Sequence, residues 1–287
     1  MKRTTIRYIL TSIALCFCLG LVTQAPLRDI NTPFIMNDKK YDDFGAGNIT
    51  YPKSINKEGV LDINSFKVSN KKDTIEFQYT MRSIDNEYDS ENGFSHLLID
   101  TYISVDDKGL LSTIEYGSAI SFDEENPWKY HIRITPEDYY IEKLVDINNR
   151  KTKKLKDVSL EIKGNKIKLS VPQSSLQENL KKAKYYVFTG GFDVFGPDNY
   201  RRVLDEGENW YFSGGIKSLY QPNVIDVVSP IQKEMLVYFM PPQYSVLTPV
   251  FNQLHQRIFT KEILYITILI IFSLKYRSIY KKGIKRD

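Results

Sequence analysis

The sequence predicts an all-β sandwich, and three observations carry that reading. Several short segments alternate apolar and polar residues with a period of two. One pair of such segments flanks a two-residue turn. A long stretch, 184–236, breaks short apolar runs with polar, glycine-rich excursions, as buried strands joined by long specified loops would.

In chain order, Lys2, Arg3 and Arg7 precede an apolar run over 8–22, and VTQA at 22–25 offers a small-residue cleavage site. Residues 1–25 therefore read as a signal peptide or an N-terminal anchor. Ile75, Phe77, Tyr79 and Met81 then share one face of a strand, and Leu97, Ile99, Ile103 and Val105 one face of another. Trp128, Tyr130, Ile132 and Ile134 form a third such face, with Lys129, His131 and Arg133 on its outer side.

The sharpest local expectation is a hairpin. A turn at Gly164 and Asn165 pairs 162 with 167, 160 with 169 and 158 with 171, which puts every apolar side chain on one face. Pro172 ends the second strand, and Ser175 with Glu178 forms a capping box for a short helix reaching about Lys182. Pro241, Pro242 and Pro249 mark an extended stalk over 241–261.

The stalk leads to an apolar segment, 263–274, which as a helix is about 18 Å long against a hydrocarbon core of about 30 Å. Tyr276, Ile279 and Tyr280 extend its apolar face, and Lys275 and Arg277 snorkel to headgroups. A basic tail at 281–287 fits the positive-inside rule, so 262–280 is expected to cross the membrane with the domain outside. Between residues 26 and 260 stand 29 Lys and Arg against 33 Asp and Glu, so the basic pI belongs to the termini. That removes the electrostatic case for nucleic acid. Cys16 and Cys18 both lie in the signal, which leaves no thiol or zinc chemistry outside it.

The resemblance to a known family rests on a series of motifs. Asp42, Asp43, Gly45, Gly47, Tyr51 and Pro52 open it as DD-x-G-x-G-x-x-x-YP. Leu61, Asp62, Phe66, then Gly93, Phe94, Ser95, and then Trp128, Lys129 and Tyr130 follow. Asp193, Phe195, Gly196, Arg202, Trp210, Gly214, Gly215, Pro222, Ile225, Asp226 and Gln232 close it. The order resembles the C-terminal β-sandwich module of glucodextranase, also found at the ends of several amylopullulanases. The resemblance spans roughly 38–236 and implies one domain over 33–240. It also implies an immunoglobulin-like or jelly-roll sandwich similar to family-nine carbohydrate-binding modules. The implied role is accessory and non-catalytic: carbohydrate binding or cell-envelope attachment at the cell membrane, with the domain extracytoplasmic.

The residues support that role more than catalysis. His96, His131 and His255 sit in no metal or triad motif, and no G-x-S-x-G, H-E-x-x-H or phosphate loop occurs. Scattered His96, His131 and Met81 give no set of axial haem ligands either. Sugar binding needs exposed aromatic faces, for which Trp128, Tyr200, Trp210 and Tyr211 are the candidates, with Tyr220 a further one; both tryptophans also fit a core. Asp42 and Asp43 are the candidate ligands of a structural calcium, and the alternative is that they, Asp193, Asp198 and Asp226 fix loop shape. The acidic cluster at 123–125 and the basic run at 150–156 read as solvated loops, the latter also suited to an anionic wall polymer. A polysaccharide or envelope polymer is thus the expected partner. The other reading is a protein partner, with the chain an extracytoplasmic subunit of a transporter or secreted glycoside hydrolase.

Overall fold

The computed structural model describes residues 33–176, 180–207, 209–237 and 245–249. The expected signal at 1–25, the membrane helix at 262–280, the tail at 281–287 and His255 lie outside the described residues. Among the described residues no helix is long and apolar enough to cross a membrane.

The described strands begin with β1 (Phe34–Asn37), β2 (Ile63–Asn70), β3 (Thr74–Met81), β4 (Leu97–Ser104) and β5 (Ile120–Phe122). β6 (Tyr130–Ile134), β7 (Tyr139–Asp146), β8 (Lys151–Lys154), β9 (Ser159–Lys163) and β10 (Lys166–Pro172) follow. β11 (Lys184–Gly191), β12 (Asp226–Val227) and β13 (Ser245–Leu247) complete them, with one short helix, α1 (Gln232–Val237). They build a five-stranded sheet in the order β1-β2-β3-β10-β9 and a six-stranded sheet in the order β12-β11-β4-β6-β7-β8. Every neighbour within these two sheets is antiparallel.

The alternation seen in the sequence becomes the core. Phe66, Phe77, Tyr79, Ile167 and Leu169 of the first sheet pack in one cluster with Ile99, Ile103, Tyr130, Ile132, Tyr185 and Val187 of the second. Each is sealed from solvent, and burying such a side chain stabilises the fold by about 1.5–3 kcal/mol. The Tyr79 hydroxyl meets Thr101 Oγ1 at 2.9 Å, a polar link between the sheets. The hairpin has the expected register: Ile162 faces Ile167 and Leu160 faces Leu169, around Gly164 at φ +59°.

Half-burial is not the rule for the second sheet. All eight residues of β4 are buried, because loops cover its outer face as well. Leu98, Tyr102, Tyr186 and Phe188 of that face pack with Leu110, Ile120, Phe122, Trp128, Val224 and Leu247. His131 lies on the outer side of β6 as expected, yet it is 3% exposed and stacked on Tyr102, ring centroids 4.2 Å apart. Trp128 does not share the Tyr130 face; it precedes β6, packs in the outer cluster and donates its indole N–H to Ser112 O at 2.9 Å.

A charged network accounts for the polar residues under that layer. Asp100 accepts from Arg133 Nε and Nη2, both at 2.9 Å, from His131 Nε2 at 2.8 Å, and from the Tyr200 hydroxyl. Arg133 also grips both oxygens of Asp198, at 2.6 and 2.9 Å. His131 Nδ1 reaches Glu142 Oε1 at 2.9 Å, so both ring nitrogens face carboxylates and the ring is an imidazolium.

Three further expectations change. The basic run at 150–156 supplies β8, the outer edge strand of the six-stranded sheet, where lysines guard an unpaired edge. At the ends of the expected short helix stand two 3-10 turns, Gln173–Ser175 and Leu180–Lys182; Glu178 lies outside the described residues. Inside the expected stalk, β13 pairs in parallel with β5, so residues 245–247 belong to the sandwich.

Candidate ligand-binding groove

Two loops at one end of the sandwich carry the site. In the first, 192–200, Asp193 Oδ1 accepts the Phe195 N–H at 3.1 Å, and the Gly196 N–H donates back to Asp193 O at 3.0 Å. A Cβ on Gly196 would stand 1.9 Å from Tyr200 O, so the turn requires glycine by close approach. The loop projects Phe195 outward at 97% exposure. In the second, 83–96, the Tyr88 N–H donates to Ser95 Oγ at 3.0 Å and His96 takes φ +62°, which presents Tyr88 half-exposed. Tyr88 meets the His96 ring edge-on, centroids 4.8 Å apart.

Arg201 joins these loops. It is 1% exposed, and its guanidinium lies 3.9 Å from the Trp210 ring centroid, which leaves Trp210 36% exposed above it. Its Nε donates to Phe192 O at 3.3 Å, Nη1 to Ser54 Oγ at 3.2 Å and Nη2 to His96 Nδ1 at 3.3 Å. Burial pushes Arg201 down to about 10, so it stays cationic at neutral pH. Arginine has no acceptor, so His96 Nδ1 must carry the lone pair and Nε2 the proton, aimed at Glu87 Oε2 at 3.3 Å. Burial lowers the His96 pKa against the pull of Glu87, which keeps the ring neutral.

The result is a half-open groove of about 650 Å³ walled by Tyr88, Phe195 and Trp210, with His96 and Arg201 beneath and Asp89, Glu91 and Glu137 at its sides. A smaller cleft of about 230 Å³ adjoins it, where Arg202 and Tyr211 face the other side of Phe195. Aromatic faces beside neutral and acidic hydrogen-bonding groups suit a hydroxyl-rich ligand. Asp85, Glu87 and His96 bring ligand atoms within 4.8 Å of one another, but the His96 Nε2 lone pair is taken by its proton, so the triad orients the imidazole rather than holding a metal.

Of the sequence candidates, the structure brings Trp210 and Tyr211 to this surface. Trp128 and Tyr200 are fully buried and present no face to a ligand: Trp128 fills the outer cluster, and Tyr200 spends its hydroxyl on Asp100. Tyr88, His96 and Arg201 were not singled out as binding residues. Phe195 stood within the family-like motif, and its place between two turn formers was the available signal.

The expected metal ligands part company. Asp43 is 1% exposed, takes the Tyr51 hydroxyl on Oδ2 at 2.5 Å and lies 3.6 Å from Arg82 Nη2. Asp62 Oδ2 stands 2.9 Å from Arg82 Nε and accepts the Tyr41 N–H at 2.8 Å. Burial lifts Asp62 to about 6. Asp42 instead faces Asp38 and Asp226. Burial, then the charge of Asp42, lifts Asp38 to about 8, and burial followed by Asp38 lifts Asp226 well above the carboxylate range.

Comparison with known proteins agrees with this architecture. The family model of the SLH-like C-terminal binding module of glucodextranase matches residues 34–253, and the chain belongs to that family. Among curated proteins none matches the chain.

Proposed function

We propose that the chain is a non-catalytic cell-surface module that holds a neutral glycan of the cell envelope in the groove between Tyr88, Phe195 and Trp210. The observation that carries the reading is the exposure of these aromatic side chains around one polar floor, on a chain whose family is a binding module. Apolar sugar faces stack on such rings, while Asp89, Glu91 and Glu137 accept hydroxyl hydrogen bonds. The same carboxylates repel an anionic polymer, which favours an uncharged glycan. Tyr211 and Arg202 extend the surface for a second sugar residue. The apolar segment at 262–280 would tether the module to the membrane and leave the groove facing the envelope.

The test is retention of the purified chain on neutral glucans, anionic wall polymers and whole cell wall. Saturable retention on a neutral polymer, competed by its soluble oligosaccharide, is the expected result. Retention confined to anionic polymers, or to protein on the wall, contradicts it. Deleting 262–287 should move the chain from the membrane to the soluble fraction of cells; a chain that stays with the membrane would contradict the tether.

A further inference from the structure

Three carboxylates from distant parts of the chain meet at one edge of the sandwich, away from the residues that line the groove. Asp38 follows β1, the edge strand of the five-stranded sheet, and Asp226 begins β12, the edge strand of the six-stranded sheet. Asp42 stands in the loop between β1 and β2. One carboxylate oxygen of each lies within 4.8 Å of the other two.

Backbone N–H groups satisfy part of this cluster, those of Lys39 and Ser229 at Asp38 and that of Ile63 at Asp226, but one oxygen of each carboxylate finds no donor among the described residues. Asp226 is 0% exposed; its Oδ2 accepts the Ile63 N–H at 2.7 Å, while its Oδ1 is sealed with no hydrogen-bond partner among the described residues. Among the described residues Asp38 Oδ2 and Asp42 Oδ1 are buried without a partner as well. Native interiors pair such atoms, and gathering carboxylates without a cation is strongly unfavourable. Arg82 is engaged by Asp62 and Asp43. Lys39, which acts on Asp42, is exposed.

We infer that Asp38, Asp42 and Asp226 ligate a calcium ion that ties the edges of the two sheets together. The donor set is all hard oxygen, which selects calcium or magnesium over transition metals. Calcium accepts an irregular shell of roughly 6–8 oxygens whereas magnesium demands a near-ideal octahedron, so carboxylates brought in from three separate segments suit calcium better. Waters complete the shell. Asp43, with its oxygen on Tyr51 and its charge beside Arg82, supports the loop from outside.

The loop is already shaped for the ion. Gly45, at φ +57°, donates its N–H to Ile225 O at 2.8 Å, directly beside Asp226. Gln232 of α1 donates from Nε2 to Asp42 O at 2.6 Å and accepts the Val227 N–H. The first and last motifs of the chain thus close on one point, and the inference stands independently of the glycan reading.

The experiment is calcium titration of the purified, chelator-stripped chain by calorimetry, with thermal unfolding read in parallel. One ion per chain is expected, with a dissociation constant of about 1 mM or below and a melting temperature that rises with calcium. Asp226→Asn should abolish uptake. Asp42→Asn, at a partly exposed position, should keep the fold and weaken binding at least about tenfold. No uptake and no shift by about 10 mM calcium, or unchanged uptake in Asp42→Asn, overturns the inference. An equal melting shift from equimolar magnesium overturns the assignment to calcium.

Discussion

The guanidinium carbon of Arg201 lies over the Trp210 ring, 3.9 Å from its centroid, and the two close the floor of the groove together. Arg201 sets the height and tilt of the one exposed tryptophan, and through Nη2 it sets the tautomer of His96. A single buried cation therefore organises two of the groove's surfaces.

Replacing Arg201 by alanine should weaken glycan binding by about 1–2 kcal/mol, roughly 5- to 30-fold. Lysine should not restore it, because an ammonium offers no plane for the indole. Phe195→Ala should cost a similar factor in affinity while stability changes by less than about 0.5 kcal/mol, since the ring is almost fully exposed. Dissociation constants from calorimetry beside urea unfolding separate the two effects.

Trp128→Ala should behave in the opposite way. It removes a fully buried ring and strands Ser112 O, for a loss of about 3–5 kcal/mol. Affinity for glycan, measured well below the melting temperature, should stay within about twofold, a difference of about 0.4 kcal/mol.

Stability should fall on the alkaline side through His131. Burial lowers its pKa, but the charge of Asp100 and the bonds to Asp100 and Glu142 outweigh it and raise the value. The folded pKa exceeds the unfolded one of about 6.5, so the contribution is whole below that pH and is lost as pH rises through the folded pKa. Asp100 runs the other way: Arg133 and His131 overcome its burial and depress it, so its share is lost as acid protonates it. Urea unfolding from pH 6 to 9 should show wild-type stability declining, and His131→Asn should be less stable by about 3–5 kcal/mol with a shallower slope, the remainder coming from the raised carboxyls of Asp38 and Asp226.

The bond between Tyr79 and Thr101 should behave as a coupled pair. Tyr79→Phe leaves a buried hydroxyl unpaired and should cost about 1–3 kcal/mol. Adding Thr101→Val should cost less than the sum of the two single changes, read from a double-mutant cycle of unfolding free energies.

The inner core was legible because burial on one face writes a period of two into β3 and β10, and the turn at Gly164 leaves one register that keeps Ile162 and Ile167 together. The outer layer was not. His131 and Arg133 read as outer-face residues of their strand, yet loops from far along the chain cover them and Asp100 neutralises them. Tyr200 looked like a binding residue for the same reason: its burial depends on Asp100 in another strand. Arg201 was hidden beside the motif residue Arg202, which faces the smaller cleft. Asp42 could be singled out from its motif, but Asp38 and Asp226 join it through sheet pairing at two separate edges, which local spacing does not record.

Glycan binding at the groove is tested most directly through the chain's two tryptophans, Trp128 sealed in the core and Trp210 at the groove. Tryptophan fluorescence is followed while a retained neutral oligosaccharide is titrated into wild type and Trp210→Phe. A saturable change in emission is expected in wild type that disappears in the variant, together with weaker binding by calorimetry. An unchanged titration in Trp210→Phe, or full-affinity binding with no response from Trp210, would place the glycan elsewhere on the molecule.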